Sequence, residues 1–415
     1  PIDMVVCNLY PFEEVAGRRG VEDEVVIENI DIGGPSIIRA AAKNHAGVAV
    51  VTSHAEYAPL LEELRANDGE LGYETLRGLA TKAFNRTARY DFVVANWFGE
   101  AEGDFPQQIM RAYTKVMDVK YGENPHQRGA YYAEAGLRQH LLSQVEQLHG
   151  QQVSFNSLYD LNAARAICEE FTLPCVTIVK HNSPCGCALA ESLAAACDKA
   201  LVCDPEGAFG SVIAVNRPVG VPTAERLSEL SVEVLFAPGY DPEALEILTR
   251  NQDIRILENR ERRQANPGEL DAKCVRGGVL VQDKDSDQAE RDEMTVGTKR
   301  HPTEKEWGDL LFAFRVAKHV KSNAIVIAKD LATVGVGAGQ MSRVDSTMIA
   351  IEKARVDLAG AVVGSDAFFP FPDAVEMAIE AGVTAFMQPG GSKGDEAALA
   401  ACDAKGAAMV FTGRR

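Results

Sequence analysis

Lys180 and His181 are adjacent side chains whose types suit proton transfer. An imidazole can take and return a proton near neutral pH, and a neighbouring ammonium can stabilise developing negative charge or protonate a leaving nitrogen. The pair follows an apolar run, 175–179, and precedes a turn-forming segment, 182–184. Neighbouring side chains on a strand point to opposite faces, so both could serve one site only if the strand ends there. A solvated lysine beside a structurally hydrogen-bonded histidine is the alternative interpretation.

Cys185 and Cys187 follow His181 closely and raise the question of a zinc site. A zinc deaminase uses His-x-Glu followed by Pro-Cys-x-x-Cys, whereas this chain has His-Asn-Ser and then Pro-Cys-Gly-Cys. The glutamate is missing and the cysteine spacing is wrong, so we expect no metal to be bound there.

Three glycine-rich loops could bring backbone N–H groups close to a ligand. Residues 335–340 resemble a dinucleotide-binding turn, but Gln340 replaces its last glycine and no suitable ribose-binding acid follows a first strand. A nicotinamide oxidoreductase is therefore disfavoured, while a tight strand-to-helix turn and a ligand contact both stay open. The loops at 388–392 and 31–36 each precede a helix, whose free N–H groups would form a generic anion or polar-ligand site.

The segment 365–373 contains three phenylalanines among prolines and two carboxylates. Phenylalanines of this kind suit the core at a strand end, and they equally suit stacking on a flat heteroaromatic ligand. The sequence leaves both interpretations open.

Short apolar runs rich in β-branched residues predict strands buried on both faces. Between these runs, a 3.6-residue periodicity predicts helices over 161–171 and 192–201. The alternation indicates an α/β architecture with largely parallel or mixed sheets, which would position the polar residues at strand ends. The predicted strands are 4–6, 48–51, 176–179, 212–215 and 324–327.

Composition excludes several classes of protein. The 415 residues suggest two to three domains, and 60 acidic against 42 basic residues give a net charge of −18 that disfavours nucleic-acid binding. No apolar run is long enough for a membrane span. Nine cysteines in a chain of this size indicate reduced thiols, as in a cytoplasm.

Two polar stretches, 99–107 and 282–305, divide the chain. Pro1 is not an initiator residue and the strand at 4–6 has no predicted partner before it, so we expect the front of the first domain to lie outside this sequence. The predicted segments are 1–115, 116–285 and 286–415.

Eight short sequence motifs, found in the same order along the chain, resemble those of a known family. They are Cys7 to Phe12, Asn29 to Gly34, Arg39 to His45, Tyr121 to Gln127, Lys180 to Gly186, Lys321 to Val326, Gly335 to Arg343 and Ser365 to Phe371. Together they resemble the bifunctional purine-biosynthesis family that joins AICAR formyltransferase to IMP cyclohydrolase, from Ile2 almost to Arg415.

The resemblance implies transfer of a formyl group from 10-formyltetrahydrofolate to the 5-amine of AICAR. His181 would take the amine proton, Lys180 would stabilise the oxyanion and help the folate nitrogen leave, and Asn323 would orient the amine and formyl oxygen.

Family positions in contact with the two ligands carry over in the same way. Those for AICAR are Lys120, Tyr121, Gly210, Glu233, Arg343, Phe368 and Arg415, and those for folate are Val344, Asp373, Ser392 and Lys393. Lys120 stands where relatives usually have arginine, which replaces a bidentate fork with a point charge. Arg415 is the last residue of the sequence.

For the cyclohydrolase, the resemblance implies catalytic roles for Tyr10, Asp31 and Lys43. Cys7, Asn8 and Ile32 would lie near the nucleotide. The phosphate-binding loops and a further catalytic lysine of relatives would precede Pro1, so we expect this activity of the complete protein and not of this sequence.

The resemblance also implies a fold and an assembly. The first segment would be the remnant of a methylglyoxal-synthase-like α/β domain, followed by two cytidine-deaminase-like α/β/α lobes without zinc. We expect a homodimer that completes the transferase site and no catalytic metal; some relatives hold a structural potassium ion. A catalytically silent nucleotide-binding or regulatory protein on the same scaffold is the alternative.

Overall fold

The computed structural model describes residues 2–18, 20–99, 105–134, 144–259, 270–286 and 290–414. The chain forms two compact units. Unit 1 comprises Pro1–Val116, Tyr132–Ser143 and Ala265–Lys284, and unit 2 comprises Met117–Tyr131, Gln144–Gln264 and Asp285–Arg415. Among the residues described, every helix is too short or too polar to cross a bilayer.

The helices are α1 (Phe12–Ala16), α2 (Asp23–Glu28), α3 (Gly33–Lys43), α4 (Tyr57–Ala66), α5 (Tyr73–Gly99), α6 (Phe155–Glu169), α7 (Leu193–Leu201), α8 (Val221–Ser228), α9 (Pro242–Leu248), α10 (Glu304–Lys318), α11 (Arg343–Lys353), α12 (Asp373–Glu380) and α13 (Asp395–Lys405). The strands are β1 (Met4–Val6), β2 (Ala49–Val51), β3 (Tyr113–Val119), β4 (Gly129–Glu134), β5 (Glu146–His149), β6 (Cys175–Lys180), β7 (Ser183–Leu189), β8 (Ser211–Val215), β9 (Val232–Ala237), β10 (Arg255–Glu258), β11 (Leu270–Val275), β12 (Gly278–Asp283), β13 (Thr295–Val296), β14 (Ile325–Lys329), β15 (Ala332–Gly337), β16 (Val362–Ser365), β17 (Ala385–Gln388) and β18 (Ala408–Phe411).

Unit 1 is built on a parallel pair of strands, in which Val5 of β1 is paired with Val50 of β2. The long helix α5 packs on α3 and β2, and Ile38, Val50 and Ala83 are fully buried between these elements. The prediction of burial on both faces is wrong for β1, whose Met4 and Val6 are exposed. Only alternate side chains of β1 face the helices, so one face of the strand stays in solvent.

Unit 2 contains a twelve-stranded mixed sheet in the order β13-β18-β17-β16-β14-β15-β7-β6-β8-β9-β10-β5. The predicted strands at 176–179, 212–215 and 324–327 are confirmed as β6, β8 and β14, with buried apolar side chains along each. The predicted helices are confirmed as α6 and α7. A mixed α/β fold is thus established, and the two predicted lobes contribute to one continuous sheet.

The two halves of this sheet share one order of elements. The first half runs α6-β6-β7-α7-β8-α8-β9-α9-β10, and the second runs α10-β14-β15-α11-β16-α12-β17-α13-β18. They meet where β7 and β15 pair antiparallel through Ala188 and Ala332. Equivalent strands of the two halves therefore run in opposite directions, and their equivalent turns lie at opposite edges of the sheet.

Candidate active site

One edge of the sheet in unit 2 carries the residues predicted to perform catalysis. β7 is antiparallel to β6, β15 to β7, β14 to β15 and β16 to β14. Consequently β6, β15 and β16 end where β14 begins, which places Lys180, Asn323, Gly337 and Ser365 at the same edge. We call it the His181 edge, and we call the opposite edge, where β14 ends, the Asp330 edge.

Lys180 and His181 lie where β6 ends and the chain turns, as the sequence predicts. The Lys180 ammonium donates a hydrogen bond to the Phe209 carbonyl oxygen at 2.6 Å. His181 is exposed and has a left-handed backbone, with φ of 52°. The Asp160 carboxylate accepts from the His181 N–H at 3.0 Å.

Asn323 is held by hydrogen bonds at both ends of its amide. Its Nδ2 donates to the Gln340 carbonyl oxygen at 2.9 Å, and its Oδ1 accepts from Arg343 Nη2 at 2.8 Å. Arg343 Nη1 donates in turn to Asp366 Oδ1 and Ser365 Oγ, both at 2.8 Å. The Asn323 side chain is therefore fixed by a network that ends on a buried ion pair.

The ion pair of Arg343 and Asp366 is almost completely removed from solvent, with side-chain exposures of 5% and 1%. Burial raises the pKa of the Asp366 carboxyl, but hydrogen bonds from Ser322, Arg343 and the Ala324 N–H, with the charge of Arg343, outweigh burial and hold that pKa below its ordinary value. Arg343 thus acts in this structure as a partner of Asp366 and Asn323.

The predicted catalytic residues share an edge without direct contact. Lys180 bonds to Phe209, and the amide of Asn323 bonds to Gln340 and Arg343. In strand order, β6 and β14 are separated by β7 and β15, so these two strands are about 14 Å apart at a usual strand spacing. Both groups lie at the His181 edge, and a ligand that contacts both must extend across the positions of the two intervening strands.

Four of the residues predicted to contact AICAR lie at or beside this edge in the first half, namely Lys120, Tyr121, Gly210 and Glu233. The Lys120 N–H donates to the Val153 carbonyl oxygen, and the Tyr121 carbonyl accepts from the Phe155 N–H at the start of α6. Gly210, with φ of 66°, directly precedes β8, which begins at the His181 edge.

Glu233 lies next to the same helix terminus. Its Oε1 accepts from Ser157 Oγ at 2.9 Å and is 3.6 Å from Arg255 Nη1. Sequence reasoning missed Ser157 and Arg255. Ser157 could have been found as the third helical residue of a cap begun by Ser154, which the structure confirms as a capping box.

The phenylalanines of 365–373 divide between the two interpretations that the sequence left open. Phe369 is buried and packs edge-on against Phe386, with ring centroids 6.1 Å apart. Phe368 and Phe371 are 42% and 67% exposed. The core therefore accounts for Phe369, and the rings of Phe368 and Phe371 are both left exposed.

The residues predicted to contact the folate lie at the His181 edge, in the second half of the sheet. Val344 lies in the first turn of α11, Asp373 is the first residue of α12, and Ser392 and Lys393 follow β17. Arg415 lies outside the described residues.

The prediction of free N–H groups at 388–392 is wrong for Gly391 and Ser392. Both donate to Asp395 Oδ2, at 2.7 and 3.0 Å, because the Asp395 carboxylate folds back over the start of its own helix. Similarly, the Gly34 N–H at the start of α3 donates to Asp31 Oδ1 at 2.7 Å. The chain's own carboxylates thus occupy part of the predicted anion sites.

Close packing explains the glycines of the 335–340 turn. A Cβ atom on Gly335 would lie 2.1 Å from the Ala350 carbonyl oxygen, and one on Gly337 would lie 1.8 Å from that of Ser346. Glycine is therefore needed there for β15 to pack against α11.

The cysteines near His181 serve the core in this structure. Cys187 is fully buried beside Thr333, and burial raises the pKa of the Cys185 thiol to about 12. Within the ranges that the structure describes, no group of three histidine, cysteine or acidic side chains is arranged to hold a metal ion.

In unit 1 a hydrogen bond connects two of the predicted cyclohydrolase residues, Tyr10 and Asp31. Asp31 is buried and accepts from the Tyr10 N–H at 3.3 Å. The Asp31 N–H donates to the Tyr90 hydroxyl at 2.6 Å, which donates to the Asn29 carbonyl oxygen at 3.2 Å. Tyr90, from α5, was missed because nothing in its sequence neighbourhood connects it to Asp31.

The other predicted residues of unit 1 are spread around this pair. Cys7 is half-buried, and burial, followed by the charge of Asp31, raises the pKa of its thiol. Asn8 lines a cavity of about 1240 Å³, and Ile32 is exposed. Lys43 ends α3 and, at about 1.5 Å of rise per residue, lies about 15 Å from the end of the helix that contacts Asp31.

The chain is similar to one family of proteins along most of its length. The model "AICARFT/IMPCHase bienzyme" matches residues 41–353. The "Bifunctional purine biosynthesis protein PurH" of Thermoanaerobacter sp. (strain X514) is 46% identical over 416 residues, which is 100% of this chain and 81% of that protein. The proteins of the same name from Halalkalibacterium halodurans and Bacillus subtilis (strain 168) are 46% and 45% identical over the same shares.

The fold and the polar edge define an α/β enzyme that acts on small molecules. The chain belongs to the AICARFT/IMPCHase bienzyme family. Its family functions in purine biosynthesis as AICAR formyltransferase and IMP cyclohydrolase. This confirms the main functional prediction; the sequence predicted the transferase for this chain and the cyclohydrolase for the complete protein only.

Proposed function

We propose that His181, Lys180 and Asn323 perform the transfer of a formyl group from 10-formyltetrahydrofolate to the 5-amino group of AICAR. The observation that carries this proposal is the strand order, which assigns these residues to one edge of the sheet. The amine nitrogen forms a bond to the formyl carbon and the bond from that carbon to the folate nitrogen breaks. His181 takes the amine proton, and the folate nitrogen leaves with a proton as tetrahydrofolate.

Lys180 supports the negative charge that develops on the formyl oxygen. One of its three N–H donors is used by Phe209, so two are available to the substrate. Asn323 orients the reacting groups, and its fixed amide means that little reorganisation is required during the reaction.

Ligand contacts are proposed around these three residues. AICAR is held by Lys120, Tyr121, Gly210, Glu233, Arg343, Phe368 and Arg415, and the folate by Val344, Asp373, Ser392 and Lys393. The exposed ring of Phe368 and the anchored carboxylate of Glu233 support this assignment. Formyl transfer between two nitrogens requires no metal ion.

A homodimer completes the transferase site in this proposal. The separation of about 14 Å between β6 and β14 supports it, because residues of a second copy could close the gap around the reacting atoms. Size-exclusion chromatography with light scattering tests it, and a monomer with full turnover would contradict it. We also infer a cytoplasmic location, which nine free cysteines support.

For the cyclohydrolase reaction, we propose that Tyr10, Asp31 and Lys43 act on the formylated nucleotide, with Cys7, Asn8 and Ile32 beside it. The buried carboxylate of Asp31, which accepts from the Tyr10 N–H, supports the assignment of Asp31.

His181→Ala tests the transferase proposal. We expect tetrahydrofolate release in the presence of AICAR to fall by about 10²–10⁴-fold, with AICAR binding retained. Asp330→Ala is the matched control, because Asp330 occupies the equivalent turn position at the opposite edge. Turnover retained by His181→Ala would remove His181 from the mechanism, and absent turnover in the unmodified chain would favour a catalytically silent nucleotide-binding protein.

A further inference from the structure

The turn that carries His181 has an unusual backbone. Lys180 pairs with Ser183, so the turn between β6 and β7 has two central residues, His181 and Asn182. Their φ angles are 52° and 58°, in the left-handed region that residues other than glycine rarely adopt. Something outside the turn must stabilise this conformation.

Asp160, on α6, supplies that stabilisation. Its Oδ2 accepts from the His181 N–H at 3.0 Å, and its Oδ1 accepts from the Asn182 N–H at 2.7 Å. The central N–H groups of a two-residue turn have no partner in the strand ladder, so the carboxylate satisfies both with charged hydrogen bonds. Since each oxygen is used by a backbone N–H, Asp160 acts on the backbone of His181 and not on its imidazole ring.

The second half of the sheet repeats this arrangement. Asp330 and Leu331 form the turn between β14 and β15, with φ angles of 55° and 58°. Asp309, on α10, accepts from their N–H groups at 3.1 and 2.7 Å. The lysines that precede the turns also correspond, since Lys329 Nζ donates to the Asp357 carbonyl oxygen at 3.0 Å as Lys180 does to Phe209.

The two turns differ in what they present. In the second half, the Asp330 side chain is 2.7 Å from Lys305, and the Asp330 carbonyl accepts from Lys199. In the first half, the same backbone presents an exposed imidazole at the edge that also carries Asn323. The fold therefore contains a matched pair of turns, one at the candidate site and one away from it.

We propose that Asp160 is a positioning residue for formyl transfer, which directs the His181 imidazole toward the substrate by holding the left-handed turn through its backbone N–H groups. This inference rests on the proposed role of His181. A shift of about 1 Å in a reacting group can cost on the order of 100-fold in rate, so a turn of this kind must be held firmly.

Asp160→Asn and Asp309→Asn test the proposal as a matched pair in the full chain. Each removes the charge from a carboxylate that accepts from two backbone N–H groups, so we expect the melting temperature to fall in both variants. We expect kcat for AICAR-dependent tetrahydrofolate release to fall about 10- to 100-fold in Asp160→Asn, with KM for AICAR within about twofold, and to be unchanged in Asp309→Asn. In a His181→Ala background, Asp160→Asn should cause no further loss, because the two residues act as one unit.

The results separate two kinds of failure. Wild-type turnover in Asp160→Asn, together with an inactive His181→Ala, would overturn the positioning role alone. Wild-type turnover in His181→Ala would overturn the catalytic role and with it the positioning role. If Asp160→Asn does not fold, Asp160→Glu keeps the charge but displaces the carboxylate; a lowered kcat with unchanged KM supports the proposal, and a wild-type kcat contradicts it.

Discussion

The two halves of the unit 2 sheet are built alike but differ in how they use the polar groups at equivalent positions. Both helices α6 and α10 begin with a capping box, made by Ser154 with Ser157 in the first half and Thr303 with Glu306 in the second. Glu306 closes on Arg300 through two hydrogen bonds of 2.9 and 2.6 Å. Ser157 instead donates to Glu233, a proposed ligand contact.

The turns of the two halves differ in the same way as the helix caps, in whether their polar side chains are paired with one another. At the Asp330 edge, Asp330 pairs with Lys305, so the polar groups there neutralise one another. At the His181 edge, His181 occupies the position equivalent to Asp330 and is exposed, and the second half adds the buried network of Asn323, Arg343 and Asp366. One scaffold thus carries a closed edge that stabilises the fold and an open edge that is available for chemistry.

Arg343→Met should have the largest effect, because it removes the second half's support for the His181 edge. Asp366 would keep a buried charge without its partner, and the breaking of a buried pair in this way costs about 3–5 kcal/mol. Urea denaturation should show that loss in the free energy of unfolding. Turnover should fall with it, because Asn323 loses the donor to its Oδ1 and AICAR loses the contact proposed for Arg343.

The double variant Arg343→Met/Asp366→Asn separates stability from positioning. We expect it to recover much of the stability, since neither charge remains buried, while turnover stays low. Full turnover in the double variant would show that the network does not orient Asn323.

Glu306→Gln should have an intermediate effect, confined to stability. Burial raises the pKa of the Glu306 carboxyl, but hydrogen bonds from Arg300, Thr384 and the Thr303 N–H, with the charge of Arg300, outweigh burial and lower that pKa from 4.5 to about 2. Because the folded pKa is the lower one, the ionised carboxylate stabilises the fold above pH 4.5 and this contribution is lost as pH falls toward 2. We assign it about 2 kcal/mol, after a reduction for solvent screening.

Urea denaturation of the unmodified chain and Glu306→Gln between pH 3 and pH 7 checks this value. The difference in unfolding free energy between the two proteins should shrink as pH falls, and turnover at pH 7 should be unchanged. A difference that stays the same at every pH would show that ionisation of the Glu306 carboxyl does not contribute to the stabilisation.

Apolar patterning predicted much of the fold, because buried strands and amphipathic helices are local features. The runs at 176–179, 212–215 and 324–327 are strands, and the helix predicted over 192–201 begins after its Ser192 cap. The pairing of β7 with β15 could not be predicted in this way, because it depends on contacts between residues about 144 positions apart.

The candidate site shows a similar limit. Lys180 and His181 could be recognised because they follow an apolar strand directly. Asp160 is 21 residues before His181 and contacts only its backbone, so its residue type gives no sign of its position. The anion sites predicted at helix starts failed for a related reason, since carboxylates such as Asp395 fold back on their own helix and compete with a ligand.

Ser157→Ala should have the smallest effect on stability and the most selective effect on substrate. It removes two hydrogen bonds of the cap, those with the Ser154 N–H and the Ser154 hydroxyl, and the bond to Glu233. We expect a loss of about 1 kcal/mol in unfolding free energy. If Glu233 contacts AICAR, the loss of its anchor should raise KM for AICAR about fivefold with kcat nearly unchanged.

Ser192→Ala is the matched control, because Ser192 caps α7, which follows the end of β7 at the Asp330 edge. Ser192→Ala should lower the unfolding free energy by a similar amount and leave KM for AICAR unchanged. An equal KM for AICAR in both variants would mean that the hydrogen bond from Ser157 to Glu233 has no part in substrate binding.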